Sequence, residues 1–375
     1  MKDKLKKIIQ ASIKESALVE EELINSSEIE INQSTQSDHG DFSSNIALKI
    51  SRKANMKPLD VAEVISKTIQ SPQWLKKIEV APPGFINFFV DDQTKADLLI
   101  SILEEGNSYG SLSPNSEDSI LLEFVSSNPT GPLHVGHGRH AAYGDSLAKI
   151  LRKAGHSVST EYYINDSGRQ TDILTLSVLV ALIKKRESLL EIPGACYQGS
   201  YIGKLAEVVP KRIIKEINKI SPSDLKVEEA DDEKEADALI SIIKDSIGKS
   251  VFEEITASVV GNMLKIIKSD LSDFGVEFDY WFSEKNMIKD SKIALALKKL
   301  KKENELFKKD GATWLRTTNY GDDKDRVVLR DDGRSTYFAS DIAYHADKKE
   351  RSFDRLINIL GSDHHGYINR LKGGL

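Results

Sequence analysis

A single cysteine, Cys196, stands in 375 residues, so no disulfide forms within the chain and no cysteine-rich zinc module is built. No histidine or other base lies beside it in sequence, and an inert thiol is the expected state. Long apolar runs are missing as well. The longest, residues 176–183 broken only by Ser177, falls far short of the roughly 20 residues that cross a bilayer. The opening Met1-Lys-Asp-Lys-Leu-Lys-Lys is charged and amphipathic and lacks the apolar core of a signal peptide, which makes the cytoplasm the expected location and a membrane partner unexpected. A basic excess is absent too: the net charge is −6, whereas nucleic-acid binders are usually basic. Local patches could still bind, because the distribution of charge matters more than its sum. Lysines in the first sixteen residues and in residues 204–219 are the candidates, with solvated faces of amphipathic helices as the alternative. Repeats, heptads and low-complexity tracts do not occur.

What is there reads as globular: 39% hydrophobic and 29% charged residues, in a chain long enough for two or three domains. Leu5, Ile8, Ile9 and Ile13 have helical spacing, and a second helix is expected over 58–70, with Pro58 near its start. Two strands, 78–80 and 85–90, flank the turn Pro82-Pro83-Gly84, and a helix over 94–105 closes at Gly106. Residues 1–112 thus form a small α+β domain, and the Ser-, Asn-, Gly- and Pro-rich stretch 106–118 marks its boundary. From 119 onward strand and helix alternate: strand 119–124, helix 136–154, strand 157–163, helix 169–185. That is the layout of a parallel, Rossmann-like sheet in a domain spanning 117–375. A mostly helical insertion is expected at about 190–285, with consecutive amphipathic helices over 204–273. A β-rich stretch (313–317, 326–330, 336–338) and a last apolar strand, 355–361, follow.

The chemistry concentrates in Glu123-Phe-Val-Ser-Ser-Asn-Pro-Thr-Gly-Pro-Leu-His-Val-Gly-His-Gly-Arg139. Here an apolar strand ends, a Pro/Gly loop follows, and a helix opens on His134 and His137. Histidines at a helix N-terminus, with backbone N–H groups and the helix dipole beside them, suit a phosphate. Gly136 removes a side chain where a flat ring such as adenine could approach the backbone. The competing reading is a metal pair: His at i and i+3 can share an ion, His140 extends the spacing, and Asp363-His364-His365 could add ligands. No His-Glu-x-x-His pattern accompanies them. Gly199-Ser-Tyr-Ile-Gly203-Lys204 is one residue too short for a phosphate loop of the Walker type.

The His134–His137 segment resembles the His-x-Gly-His motif of class I aminoacyl-tRNA synthetases, and its longer wording is similar to that of arginyl-tRNA synthetases. Further segments carry the same resemblance: Asp38-His-Gly-Asp-Phe-Ser-Ser-Asn-Ile-Ala-Leu, Pro83-Gly-Phe-Ile-Asn-Phe, Glu161-Tyr-Tyr-Ile-Asn-Asp-Ser-Gly-Arg-Gln170, Gly321-Asp-Asp-Lys-Asp-Arg-Val-Val, Thr336-Tyr-Phe-Ala-Ser-Asp-Ile-Ala-Tyr-His345 and Gly361-Ser-Asp-His-His-Gly-Tyr367. Only the helical insertion is unmarked. The resemblance implies activation of L-arginine by ATP with Mg²⁺, without a tightly bound metal, and transfer to tRNA(Arg) by a monomer. It implies that His134 and His137 are catalytic, and that they hold ATP together with Gly136. His134 also belongs to the arginine set. In that set Glu123, Tyr337 and Asp341 face the guanidinium, and Asn128 and Asp363 hold the α-amino end. A planar, permanently charged guanidinium suits such carboxylates. Taken alone, Tyr337 and Asp341 also fit a solvated helix start, with Asp341 near an N-cap. The N-terminal unit resembles the domain that contacts the outer corner of tRNA, with Phe85 stacking on a base and Asn87 reading it. For Phe85 a core position is the alternative, and Phe88 and Phe89 are expected in the core.

Two departures from the family accompany the match. Val135 replaces the usual Ile and keeps an apolar anchor. The lysine-rich Lys-Met-Ser-Lys-Ser loop and the helical anticodon-binding domain do not occur, and Gly131 stands where some relatives place a compensating lysine. The chain is therefore expected to be the front part of a synthetase that charges tRNA negligibly by itself. A catalytically silent arginine- or tRNA-binding fragment is the second hypothesis, and a metal-dependent hydrolase the third.

Overall fold

The computed structural model describes residues 1–19, 29–112, 118–186, 192–221, 225, 227, 231–361 and 367–374. The chain divides into two compact units, Met1–Gly110 and Ser111–Leu375.

In the first unit, α1 (Lys2–Glu15) buries Leu5, Ile9 and Ile13, a stripe at intervals of four. Short strands β1 (Asn32–Gln33) and β2 (Phe42–Ser44) lead to α2 (Ile46–Ile50) and to α3 (Pro58–Thr68), which Pro58 opens with its φ already helical. Strands β3 (Leu75–Ala81) and β4 (Phe85–Val90) pair antiparallel, and the sheet order is β1-β2-β4-β3. Phe88 is fully buried in the core with Ile46, Val61, Ile65 and Ile86, while Phe89 is half-buried beneath Lys77. Then comes α4 (Asp92–Glu105), whose N-terminus is capped by the Asp91 side chain accepting from Gln93 N–H at 2.9 Å.

The second unit is built on a parallel sheet. Its first half is β5 (Ser119–Glu123), α5 (Val135–Lys153), β6 (Ser157–Ile164) and α6 (Arg169–Arg186). Among the described residues four helices follow: α7 (Ser200–Glu207), α8 (Lys211–Ile217), α9 (Asp232–Ile247) and α10 (Lys249–Asp273). Residues 173–180 of α6 are all buried, as expected of a helix enclosed between the sheet and the inserted helices. The chain rejoins the sheet as β7 (Tyr280–Ser283), followed by α11 (Glu284–Lys289) and α12 (Lys292–Lys302). An antiparallel sheet, β8 (Leu306–Lys309), β9 (Ala312–Leu315) and β10 (Arg326–Leu329), packs with α12 and α13 (Tyr337–Glu350), and β11 (Arg355–Asn358) and α14 (Ile368–Gly373) complete the fold.

The parallel sheet has the order β11-β5-β6-β7. The chain runs from β5 through β6 to β7 on one side and returns as β11 on the other side of β5, so the carboxyl end of β5 lies at the point where open α/β sheets form a crevice. Two sequence expectations differ from the structure. The short strand β7 lies inside the stretch expected to be the helical insertion; four residues after a long helix are too few to show strand alternation. Residues 336–338 do not form a strand either. Thr336 is the N-cap of α13, its Oγ1 accepting from Ala339 N–H, and this capping outweighs the β preference of Thr, Tyr and Phe.

The register Asn358–Glu123–Glu161–Tyr280 places one residue of each strand side by side across the sheet. Two carboxylates thus stand on neighbouring strands, and α13 supplies the cations. Lys348 Nζ meets Glu123 Oε2 at 2.5 Å and donates to Asn358 Oδ1 at 2.9 Å. Arg351 grips Glu161 with two N–H donors at 2.5 and 2.9 Å. Tyr344 donates to Glu161 at 2.7 Å.

On the other face, α5 approaches the sheet through Gly144. A Cβ there would sit well inside van der Waals contact with the Phe124 ring, which is itself buried. Gly144→Ala should therefore destabilise the protein by about 1–3 kcal/mol through overpacking. Gly138→Ala, in the same helix but facing open space, should be neutral or stabilising by up to about 1 kcal/mol. Urea unfolding of both variants checks the pair.

Candidate active site

The loop after β5 is held in an unusual shape. Val125 and Ser126 both adopt positive φ, +65° and +43°, which costs energy for a β-branched residue and persists only where neighbours enforce it. His140, on the first turns of α5, accepts from Val125 N–H at 3.1 Å. Ser126 Oγ donates to Glu123 Oε1 at 2.9 Å and accepts from Tyr163 N–H at 3.1 Å. Tyr201 of the inserted helices donates to Thr130 O at 3.0 Å, tying α7 to the same loop.

His134 is the N-cap of α5, and the two histidines cap the helix reciprocally. His134 Nδ1 accepts from Gly136 N–H at 3.1 Å, and His137 Nδ1 accepts from His134 N–H at 3.3 Å. The rings stack with centroids 3.8 Å apart. Because each Nδ1 is an acceptor, each neutral ring carries its proton on Nε2. Two donors are thereby presented by rings locked in orientation. Burial, with smaller contributions from His134 and His140, holds the His137 imidazole below the ordinary histidine value. Gly136 gains a specific reason: a Cβ there would lie 2.9 Å from His134 Cε1 and 3.1 Å from Nδ1, displacing the capping ring. Two N–H groups at the helix start are therefore used by the imidazoles, and an anion would meet imidazole N–H donors in their place.

The acids separate into different environments. Glu123 is buried and its two oxygens are taken by Lys348 and Ser126. Burial would raise its pKa, but Lys348 prevails and holds the carboxyl below the ordinary value. Asp341, half-buried in the second turn of α13, accepts from the Tyr367 hydroxyl. It stands beyond the N-cap, which is Thr336. Tyr337 is 70% exposed at the start of α13. Asn128 is exposed and donates to Gln170 Oε1 at 2.6 Å. Asp363 lies outside the described residues, as do His364 and His365. Among the described residues no group of three or more His, Cys, Asp or Glu is placed to hold a metal ion. The His134 and His137 rings lie face to face with their Nδ1 atoms engaged, not converged on a shared point.

Several residues here escaped sequence reasoning. Glu284 directly follows β7 and is 5% exposed; burial, with the charges of Glu284, Asp341 and Glu123 adding to it, pushes the hydroxyl pKa of Tyr163, from β6, far up. Lys348 is fully buried, and nothing in its local pattern distinguishes it from the solvated lysine beside it. A carboxylate at or just past the end of an apolar strand was the available signal for Glu284, as it was for Glu123. In the first unit, Phe85 is 37% exposed and presents a ring to solvent, whereas Asn87 is 5% exposed in the middle strand, between Ser43 and Glu79.

Comparison with known proteins follows the same lines. Residues 3–90 match the arginyl tRNA synthetase N terminal domain, and residues 98–202 and 204–371 match the catalytic domain of class I (R) tRNA synthetases. The chain belongs to the class I arginyl-tRNA synthetase family. An arginine–tRNA ligase of Thioalkalivibrio sulfidiphilus is 40% identical over 100% of this chain and 65% of its own length. That of Nitrosospira multiformis is 42% identical over 93% of the chain and 60% of its own. The chain thus spans about 60–65% of the length of these curated relatives. A crystal structure from Campylobacter jejuni assigned to an arginyl-tRNA synthetase is 33% identical with a TM-score of 0.60, covering 76% of this chain and 57% of its own. The Plasmodium falciparum arginyl-tRNA synthetase, 17% identical with a TM-score of 0.54 over 98% of this chain and 60% of its own, shares the fold. No helix among the described residues is long and apolar enough to cross a membrane.

Family membership leaves the wall of the site to be tested through its histidine. His345 is buried, its Nδ1 2.9 Å from Asp341 O and its Nε2 2.6 Å from Asn358 Nδ2. The ring therefore donates from Nδ1 and accepts at Nε2, which requires it to be neutral. Burial, reinforced by Lys348, lowers its pKa from 6.5 to about 4. The unfolded chain binds this proton first, so the contribution is fully present above pH 6.5 and is lost as pH falls from 6.5 towards 4. It amounts to on the order of 3 kcal/mol. Unfolding midpoints between pH 7 and pH 4.5 should show this loss, and His345→Asn should flatten the slope across that interval.

Proposed function

We propose that the chain binds L-arginine and ATP at the carboxyl end of β5 and takes part in forming arginyl-adenylate, from which arginine passes to tRNA(Arg). The observation that carries this reading is the reciprocal cap of His134 and His137, which presents two oriented Nε2–H donors at a helix N-terminus. When the arginine carboxylate attacks the α-phosphorus, negative charge grows on the phosphate oxygens, and donors fixed in advance lower that barrier most. A neutral His137 donates without first having to lose or gain a proton. ATP enters as its Mg²⁺ complex, and the ion belongs to the nucleotide. Gly136 keeps the His134 ring in place beside the nucleotide.

Tyr337 and Asp341 face the guanidinium, with Glu123 as a further acid of the set, while Asn128, His134 and Asp363 serve the α-amino and carboxylate end. The N-terminal unit contacts tRNA, with Phe85 as the stacking ring and Asn87 as its amide partner from the strand. The protein acts as a cytoplasmic monomer. A second reading is a catalytically silent arginine- or tRNA-binding module. Arginine-dependent ATP–pyrophosphate exchange with tRNA present separates the two. Exchange that needs both arginine and tRNA supports the enzyme; arginine binding without exchange supports the module.

Where exchange is observed, His134→Ala or His137→Ala should lower its rate by about 10²–10³, the usual cost of one transition-state donor, with little change in arginine affinity. Near-normal turnover in both variants contradicts the assignment. For specificity, citrulline has a neutral head of similar shape and should be rejected by roughly 10⁴ or more, because it leaves buried carboxylates unmatched. Asp341→Asn should weaken arginine and spare ATP. Calorimetry with both ligands and both proteins measures this, and equal affinity for arginine and citrulline rules the pocket out.

A further inference from the structure

The segment Gly199-Ser-Tyr-Ile-Gly203-Lys204, too short for a phosphate loop, has a different place in the structure. Gly199 is the N-cap of α7 with φ +143°, and Ile202, Leu205 and Ala206 are buried in the core of the unit. Just before the helix, Tyr197 N–H donates to Ser177 Oγ at 2.8 Å, on the buried stretch of α6. Tyr201 is therefore carried on a helix fixed both along its buried face and at its approach. A Cβ at Gly199 would stand 2.9 Å from the Tyr201 ring, so glycine leaves the ring its position. From there the hydroxyl donates to Thr130 O at 3.0 Å. Burial, with Tyr197 adding to it, raises the pKa of this hydroxyl, and the group stays a donor near neutral pH.

What this bond holds is irregular backbone, residues 124–134, between β5 and α5. The first part of the loop has its anchors in the sheet and in α5. Val125 N–H is held by His140, Ser126 by Glu123, and Ser127 O accepts from the Tyr162 hydroxyl at 2.9 Å. Asn128 is tied to Gln170. Beyond Asn128 the chain must still be led to His134. The Thr130 carbonyl belongs to the peptide unit that joins Gly131, the backbone position of the loop with the widest freedom. A Cβ at Gly131 would lie 3.4 Å from the Tyr201 hydroxyl, so the bare glycine leaves the approach clear. The Tyr201 bond keeps that peptide from rotating. Pro132, with its fixed φ, then carries the chain to Leu133, which packs on the core, and to the His134 cap. Among the described residues, the hydrogen bond anchoring this half of the loop comes from the inserted helices.

We propose that Tyr201 is a positioning residue for the nucleotide end of the site. By holding Thr130 it sets the course of the chain into His134, and with it the direction of the His134 and His137 Nε2–H donors. This rests on the reading of those donors as phosphate ligands. The test is Tyr201→Phe, which removes the hydroxyl and keeps the ring. Calorimetry with ATP-Mg²⁺ and, separately, with L-arginine compares the unchanged chain and the variant, beside thermal unfolding and the imidazole nitrogen resonances of both histidines. ATP should weaken by about tenfold, the upper range for one lost hydrogen bond, while arginine affinity and the unfolding midpoint stay nearly as they were. The resonances of His134 and His137 should shift, because their capping geometry relaxes. Gly199→Ala, which displaces the ring but keeps the hydroxyl, should weaken ATP in the same direction. Unchanged ATP affinity with unchanged histidine resonances overturns the inference and leaves the nucleotide reading standing. Loss of ATP affinity, arginine affinity and unfolding midpoint together makes Tyr201 a structural residue and also overturns it. If the unchanged chain binds no ATP, the nucleotide reading fails, and the resonances alone decide whether Tyr201 orients the histidine cap.

Discussion

Two carboxylates side by side on neighbouring strands are the constraint around which the catalytic unit is organised. Glu123 and Glu161 are paired in register on β5 and β6, so their side chains leave the sheet on the same face. Buried together without partners, they would repel and each would lose its hydration. Helix α13 resolves this by delivering Lys348 to one and, from its C-cap three residues on, Arg351 to the other. The same two cations reach the outer strands, Lys348 through Asn358 on β11 and Arg351 over the ring of Tyr280 on β7. One helix thus engages all four strands. A register slip of one residue on β5 or β6 would turn a carboxylate to the opposite face and break the set.

Removing one member of such a pair leaves an uncompensated buried charge, worth about 3–5 kcal/mol of stability. The gain from building it is positional more than energetic. With α13 fixed to the sheet, Asp341, Ser340 and Tyr344 are fixed as well, and they form one wall of the candidate site. The opposite wall starts from β5. The strained turn at Val125 and Ser126 is anchored by His140 and Glu123, and α5 then begins on His134. Glu123 therefore connects both walls, through Ser126 on one side and Lys348 on the other.

The histidine cap illustrates a similar economy. A helix N-terminus normally offers its free N–H groups to an anion. Here His134 and His137 occupy two of them and pass on donor character through their Nε2 atoms, which stand farther out and are oriented by stacking. Gly136 is needed for this arrangement because any side chain there would collide with the His134 ring.

Much of this was legible in the chain itself. Apolar runs and turn residues located α1, α3, β3, β4 and α4 of the first unit and the first half of the parallel sheet, though not the short β1, β2 and α2, because local periodicity and Pro/Gly placement are properties of neighbouring residues. His134, Gly136 and His137 were legible for the same reason: a strand, a Pro/Gly loop and a helix start are all local. Other features were not. The brief strand β7 carries too few residues to show alternation, and Thr336-Tyr-Phe looks like a strand until its cap is seen. Lys348 and Lys349 are alike in sequence, yet one is fully buried and its neighbour is exposed. Glu123 ends an apolar strand and Glu284 follows one, but the first has found a lysine 225 residues away, while burial and the like charge of Asp166 raise the pKa of the second. By itself the sequence determined which residues could carry charge into the site. Which of them arrive already neutralised was decided only by the tertiary structure, because the electrostatics of a buried group depend on partners brought close through folding.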